Sequence, residues 1–524
     1  MTATHGLAGR REWTGLAVLL LPTLVLSMDM GILFFGLPFI SKELQPSGTQ
    51  QLWIMDMYSF VLAGLLIPMG ALGDRIGRRK LLMAGAAGFA AASVLAATAD
   101  GAAQLIAARA LLGLTGATLM PSTMALIRNM FHDPKQRQAA MGAWSGVLMA
   151  GATLGPVVGG LLLEHFHWGA VFLCAVPVML LVVLAAPVLL PEYKAPRAGR
   201  FDLLGAVLSV SAVLPVVYGI KQLAVEGWDL TAALAIVAGL VLVGLLILRL
   251  RTAATPLLDL ALFRNPVFTG AVSVNTIAML AMMGFSLFTS QYLQLVRGYS
   301  PLTAALWALL PSVGVGAAVG ISGALAGKIR PGVQMAGGML VGALGFGILT
   351  QVQVDSPLAL ILVGAGVLAA GSVSTVMQTA ELVVSAAPAD QAGAAAATSE
   401  TASELGGSLG IAVLGAAGAA VYTARLDGEL PAGLPHEAMT AAQDTLGGAV
   451  TVAADLPIDV AEHLLGAARI AFTDGLHLAA AVGVLCLVAG SAVAYRLLRS
   501  LPADRAEEIP EEQLTGAPQP AAVA

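Results

Sequence analysis

The sequence predicts an all-α polytopic membrane protein with 14 transmembrane helices, and three observations predict it. Of 524 residues, 58% are hydrophobic and only 11% charged, with a mean hydropathy of +0.86; a soluble domain carries about 25% charged residues. A helix needs ~20 mainly apolar residues to cross the hydrocarbon core, and windows of that kind recur along the whole chain. The Lys and Arg residues between them gather on one side.

The spans fall at about 14–40, 50–73, 81–99, 102–128, 139–164, 168–190, 201–224, 230–251, 267–296, 301–326, 333–352, 357–386, 393–422 and 470–498. Arg10 and Arg11 precede the first, as in a secretory leader. That run is longer than the ~7–15 apolar residues of a leader and has no small-residue cleavage site, so it reads as the first transmembrane helix. With a cytoplasmic N-terminus, 20 of the 26 Lys and Arg fall on the cytoplasmic side, Lys42, Lys221, Arg297, Arg425 and Arg469 fall outside, and Arg109 lies in the membrane. The positive-inside rule favours that orientation. An even span number also returns the C-terminus to the cytoplasm. Residues 423–469 read as an external connection, with amphipathic stretches at His436–Ala454 and Asp459–Ala471 forming a small helical hairpin. The Glu-, Pro- and Ala-rich tail, 500–524, is expected to be disordered.

Five acids interrupt the apolar spans: Asp29, Asp56, Glu381, Glu400 and Glu404. A charge at the bilayer centre costs at least ~2.5–3.5 kcal/mol on insertion scales and marks a functional position. At ~1.5 Å per residue, Asp29, Asp56 and Arg109 come to similar heights, so Asp29 and Arg109 fit either a proton-coupling pair or a static buried ion pair. Trp53 and Tyr58 flank Asp56 and read as interface anchors or as aromatic faces for a lipophilic cation. Glu400 and Glu404 are four apart and share a helix face. Their mutual repulsion favours proton uptake, although Glu400 also fits a side chain reaching back to the interface. Glu381 fits a hydrogen-bonded carboxyl or a substrate contact equally.

The link after span two reads Gly70-Ala-Leu-Gly-Asp74-Arg75-Ile-Gly77-Arg78-Arg79-Lys80. Its glycines permit close approach and a tight turn. Asp74 and its Arg neighbours suit a latch between helical bundles. This segment resembles the signature loop of the major facilitator superfamily. A degraded copy, Gly323-Ala-Leu-Ala-Gly327-Lys328-Ile-Arg330, follows span ten. Two copies imply two six-helix halves, 14–190 and 267–499, with two additional helices and their linkers at 191–266 and a cytoplasmic N-terminus at 1–13. Span five carries Gly151, Gly155, Pro156, Gly159 and Gly160, a small-residue strip for helix packing that resembles the motif of the superfamily's antiporter branch.

Together with Met28-Asp29, Arg109-Ala-Leu-Leu-Gly113, Phe201-Asp202 and Ser300-Pro301, these segments resemble the fourteen-span drug:proton antiporters, notably the quaternary-ammonium pumps and actinobacterial dye and fluoroquinolone exporters. The resemblance covers about Trp13 to Arg499. It implies a multi-pass protein of the bacterial cell membrane that exports lipophilic cationic or zwitterionic drugs in exchange for protons. Asp29 and Arg109 would serve coupling, and Asp56, Glu400 and Glu404 would serve drug and proton. A narrow exporter of one antibiotic or metabolite fits the same residues. Span ten has Val313-Gly314-Val315-Gly316 where some relatives carry an acid, which implies monovalent rather than divalent cations.

No catalytic constellation or nucleotide-binding loop of the P-loop type is present, so the expected energy source is the proton gradient, without a cofactor. His165 and His167 are a weak metal signal. The expected partners are small drugs, protons and the lipid bilayer, with no nucleic acid and a monomeric state.

Overall fold

The computed structural model describes residues 8–194, 202–226, 229–253, 260–325, 328–387, 392–430, 435–499 and 501. The regular elements among them are all helical. A first group comprises α1 (Arg10–Leu44), α2 (Gly48–Ile76), α3 (Arg78–Ala97), α4 (Ala102–Met130), α5 (Pro134–His165), the short α6 (Ala170–Leu173) and α7 (Ala175–Leu189). An inserted pair follows, α8 (Leu203–Glu226) and α9 (Leu230–Thr252). The remaining helices are α10 (Pro266–Gln291), α11 (Pro301–Ala308), α12 (Pro311–Leu325), α13 (Pro331–Leu349), α14 (Leu358–Ser385), α15 (Ala392–Leu426), α16 (His436–Asp444), α17 (Leu446–Ala453) and α18 (Ile458–Leu498).

Prolines explain two interruptions. Pro177 has no N–H for the Leu173 carbonyl, and α6 ends there before α7 begins; Pro311 likewise separates α11 from α12. Counting each of those pairs as one span, 13 helices among the described residues are long and apolar enough to cross a membrane. Within α8, Leu203–Gly219 adds a shorter apolar segment.

Packing shows the internal repeat. α1 lies on α5 as α10 lies on α15, and α2 on α4 as α12 on α14. α3 meets α4 and α7 as α13 meets α14 and α18. There are two apolar cores, one around Leu19, Phe89 and Leu112 that extends across the seam to Leu287, Ala304 and Ile411, the other around Phe268, Tyr292 and Phe346. The halves join through α2–α15, α5–α11 and α1–α10. α8 packs on α9 and also against both α2 and α15, across the seam between the halves.

The external segment differs from the expected hairpin. His436–Ala454 divides at Thr445 into α16 and α17. The stretch Asp459–Ala471 is no separate arm but the beginning of α18, which runs 41 residues from its N-cap at Pro457. No proline follows Pro457 within that helix, so nothing stops it from continuing into the last span. The tail 502–524 and Gly327 of the second loop copy lie outside the described residues.

Candidate functional site

Arg109 is fully buried on α4. One turn later Gly113 brings α4 against the α2 backbone, where an added Cβ would stand 3.0 Å from Val61 Cβ. That approach delivers the guanidinium to α2. Nη1 pairs with Asp29 Oδ2 at 2.5 Å, Nε donates to the Ile54 carbonyl at 3.1 Å, and the guanidinium carbon stands 4.7 Å from the Tyr58 ring centroid. Asp29 is brought there by α1, whose backbone from Leu24 to Ile32 rests on the glycine strip of α5. An added Cβ on Gly155 would lie 2.8 Å from the Met28 carbonyl oxygen, and one on Gly159 would lie 3.1 Å from Ile32 Cα. Gly151 meets Leu24 and Ser27, and Pro156 faces Gly31. The glycines of span five therefore set the height and depth of Asp29.

Asp56 is completely buried on α2. At ~100° per residue it is turned about 200° from both Ile54 and Tyr58, away from Arg109. The helix face next to it meets α8 and α15: Phe60 clusters with Val217 and Ala412, and Trp53 stacks on Tyr218 with centroids 6.5 Å apart and rings 25° from parallel. Trp53 and Tyr58, which sequence places together beside Asp56, thus divide. Trp53 stays with Asp56, and Tyr58 belongs to the Arg109 pair.

α15 carries the two glutamates. Asn275 of α10 fixes its rotation, donating to Ser403 Oγ at 2.6 Å and to the Ser399 carbonyl at 3.4 Å while accepting from Thr379 at 3.2 Å. With residues 399 and 403 turned to α10, Glu400 and Glu404 face the other half. Ser59 of α2 donates to Glu404 across the seam. Glu400 lines a cavity of about 590 Å³ together with Gly70, Asp74, Arg78, Arg128 and Trp144. Glu381 lies on α14, with its side chain outside the described ones. None of Val313–Gly316 lines this cavity.

The cavity opens at the end bearing the basic loop. There Arg78 pairs with Asp74 at 2.6 Å and donates to the Pro121 carbonyl, while Arg79 donates to the Leu190 carbonyl at 2.9 Å and pairs with Glu192 at 3.7 Å. Gly77, at φ +117°, makes the turn that allows this. Among the described residues, these loop contacts reach the first half and the start of the linker after it but not the second half, so the expected latch between bundles is not closed here. Arg75 is exposed.

At the opposite end the halves touch. Gly160 of α5 abuts Pro301 and Leu302 of α11, and Ser300 donates to Glu164 at 2.6 Å. Leu52 of α2 fills the notch at Gly415 of α15, leaving only about 60 Å³ there. α16 and α17 brace this end, with Gly447 against Ser41 of α1 and Tyr422 donating to the Ala442 carbonyl at 2.8 Å. His167 does not join His165 but pairs with Glu43 at 2.8 Å.

Asn275, Ser59 and Tyr218 were not among the residues singled out from sequence. Asn275 had a signal, as a lone amide within an apolar span. Ser59 and Tyr218 had none, because a serine or tyrosine in a span is ordinary until a neighbouring helix is known.

Comparison with known proteins follows the same line. The Major Facilitator Superfamily pattern matches residues 19–411. The chain is 44% identical to the multidrug efflux pump LfrA of Mycolicibacterium smegmatis, covering 92% of this chain and 95% of that one. It is 36% identical to the methyl viologen resistance protein SmvA of Salmonella typhimurium, over 91% and 97% of the two chains. Identity to the tetracenomycin C resistance and export protein of Streptomyces glaucescens is 34%, over 97% and 95%. Among solved structures, a bacterial homolog of the human lysosomal transporter Spinster, inward-facing and unoccupied, superposes with a TM-score of 0.65 at 16% identity, covering 94% of this chain and 98% of that one.

Proposed function

Because this chain belongs to the major facilitator superfamily, we propose that it is a proton-driven multidrug exporter of lipophilic cations. The observation that carries the reading is the placement of the acids. Asp29 is paired with a fully buried Arg109 inside one half, whereas Glu404 is bonded across the seam to Ser59 of the other. Movement of one half against the other must break or remake the second contact and leaves the first intact. Protonation of a seam acid removes a charge that the apolar surroundings tolerate poorly, which ties proton uptake to alternating access.

The basic end is the cytoplasmic one by the positive-inside rule. The cavity beside Glu400 then opens to the cytoplasm and the opposite end is sealed, the state that loads a drug for export. Negative charge next to apolar and aromatic walls suits lipophilic cations. The resemblances to LfrA and SmvA, named for multidrug efflux and for methyl viologen resistance, support broad cation export. Likeness to the tetracenomycin C export protein favours the second reading, export of one antibiotic.

Everted membrane vesicles carrying the protein test the proposal. On energisation they are expected to take up ethidium, and an uncoupler to abolish the uptake. Equal uptake with and without a proton gradient would refute proton coupling. Resistance measured across quaternary ammonium compounds, dyes, fluoroquinolones and single antibiotics separates the two readings, since a narrow exporter protects against one class alone.

A further inference from the structure

We propose that the inserted helix α8 is part of the transport site, with Tyr218 and Trp53 forming an aromatic wall beside Asp56 that selects planar aromatic cations. This rests on the export reading above and adds its substrate preference. α8 is not a peripheral addition. It lies against α2 and α15, the two helices that meet across the seam, whereas α9 packs chiefly on α8. Its approach to α2 is close: Ser209 donates to the Gly64 carbonyl at 2.6 Å, and a Cβ on Gly64 would stand 3.1 Å from Val210 Cα.

Two turns further along α8, Tyr218 is stacked on Trp53, and Trp53 lies 6.3 Å from Phe60. Trp53 and Phe60 precede and follow Asp56 by three and four residues, so all three share one side of α2. Trp53 and Tyr218 are half-buried, whereas the acid behind them is enclosed. Tyr58, the other aromatic on this part of α2, already faces the Arg109 guanidinium. Trp53 and Tyr218 therefore offer the aromatic faces adjacent to Asp56. A flat cationic dye can stack on such a wall and place its charge toward the acid. A trimethylammonium head gains from the charge but has no flat face to stack. α2, α8 and α15 belong to the first half, the insert and the second half, and they meet at Phe60, Val217 and Ala412, so a cation bound beside them sits where relative movement of the halves is felt.

The full-length protein in proteoliposomes, under an imposed pH gradient, tests this through proton release driven by ethidium or by dodecyltrimethylammonium. Tyr218→Leu is expected to raise the KM for ethidium about tenfold, the scale of one lost aromatic contact, with the dodecyltrimethylammonium KM within about twofold of wild type. Tyr218→Phe is expected to restore ethidium handling. Equal losses for both cations, or no change for either, would overturn the proposal and leave the Trp53–Tyr218 stack as a latch for α8. A wild type that releases protons for neither cation fails the export reading itself, which is a distinguishable result.

Discussion

Arg109 Nη1 stands 2.5 Å from Asp29 Oδ2, and the rest of the guanidinium is enclosed by the Ile54 carbonyl and the Tyr58 ring. Removing one partner of such a pair strands the other charge, at a cost of about 3–5 kcal/mol. Arg109→Ala is therefore expected to lower thermal stability in detergent by that order. Asp29→Asn is expected to keep the protein in the membrane while reducing gradient-driven ethidium transport at least tenfold, measured in everted vesicles. Retained pumping by Asp29→Asn would make the buried pair purely structural and leave coupling with the seam acid Glu404.

The glycine strip of α5 makes a sharper test because the same helix supplies its own control. A Cβ at Gly155 would meet the Met28 carbonyl oxygen at 2.8 Å, whereas one at Gly146 meets nothing within 4 Å. Gly155→Ala is expected to destabilise by about 1–3 kcal/mol through overpacking and to impair transport, since it displaces the turn bearing Asp29. Gly146→Ala is expected to stabilise by roughly 0.5–1 kcal/mol through helix propensity. Melting curves of the two variants decide it.

Ser59 and Glu404 belong to different halves, so their hydrogen bond reports on the seam. A double-mutant cycle with Ser59→Ala and Glu404→Gln, read by thermal unfolding, is expected to give a coupling of about 1–3 kcal/mol. Glu404→Gln is expected to reduce transport more than Glu400→Gln, because Glu400 faces the open cavity. A coupling near zero would remove Ser59 from the contact.

Asp202 caps α8 and ties it to α9, accepting from Arg249 Nε at 3.1 Å and pairing with Nη2 at 3.0 Å. Burial raises its pKa, but the hydrogen bonds from Arg249 and the Gly205 N–H outweigh that and hold it below the ordinary carboxylate value. A depressed folded-state pKa gives stability that is present above the unfolded value and lost as pH falls through the folded one. The stability difference between wild type and Asp202→Asn is therefore expected to be constant near neutrality and to vanish at strongly acidic pH. A difference that persists there would assign the effect to packing.

Divalent cations provide the last test. Span ten offers Val313–Gly316 and no acid, whereas the likeness to SmvA, named for methyl viologen resistance, favours a dication. Resistance to a monovalent quaternary ammonium is expected to exceed resistance to methyl viologen, a dication, by about tenfold, the scale of one missing charge contact. Equal resistance would show that the acids on α2 and α15 suffice for two charges.

Much of this architecture was legible in the chain because membrane solvation is a strong and local constraint. Span number, the two-half repeat and the glycine strip follow from where apolar runs, basic loops and small residues fall. At Asp459–Ala471 the structure departs from the expected hairpin for the same local reason: amphipathic patterning marks a helix but not whether that helix continues into the next. Among site residues, the height of Asp29 and Arg109 followed from rise per residue. Their separation from Asp56 did not, because it depends on which neighbour each face of α2 meets.

The sequence by itself determined the class of protein, its spans and the acids available to it, since a charge in an apolar span is costly wherever that span packs. Only the tertiary structure decided how those acids divide. Packing of α4 on α2 claims Asp29 and Tyr58 for Arg109, rotation of α15 by Asn275 turns Glu404 to Ser59, and insertion of α8 gives Trp53, one turn from Asp56, an aromatic partner from outside either half. Those are contacts between segments far apart in the chain, and helix rotation, which no single span encodes, sets every one of them.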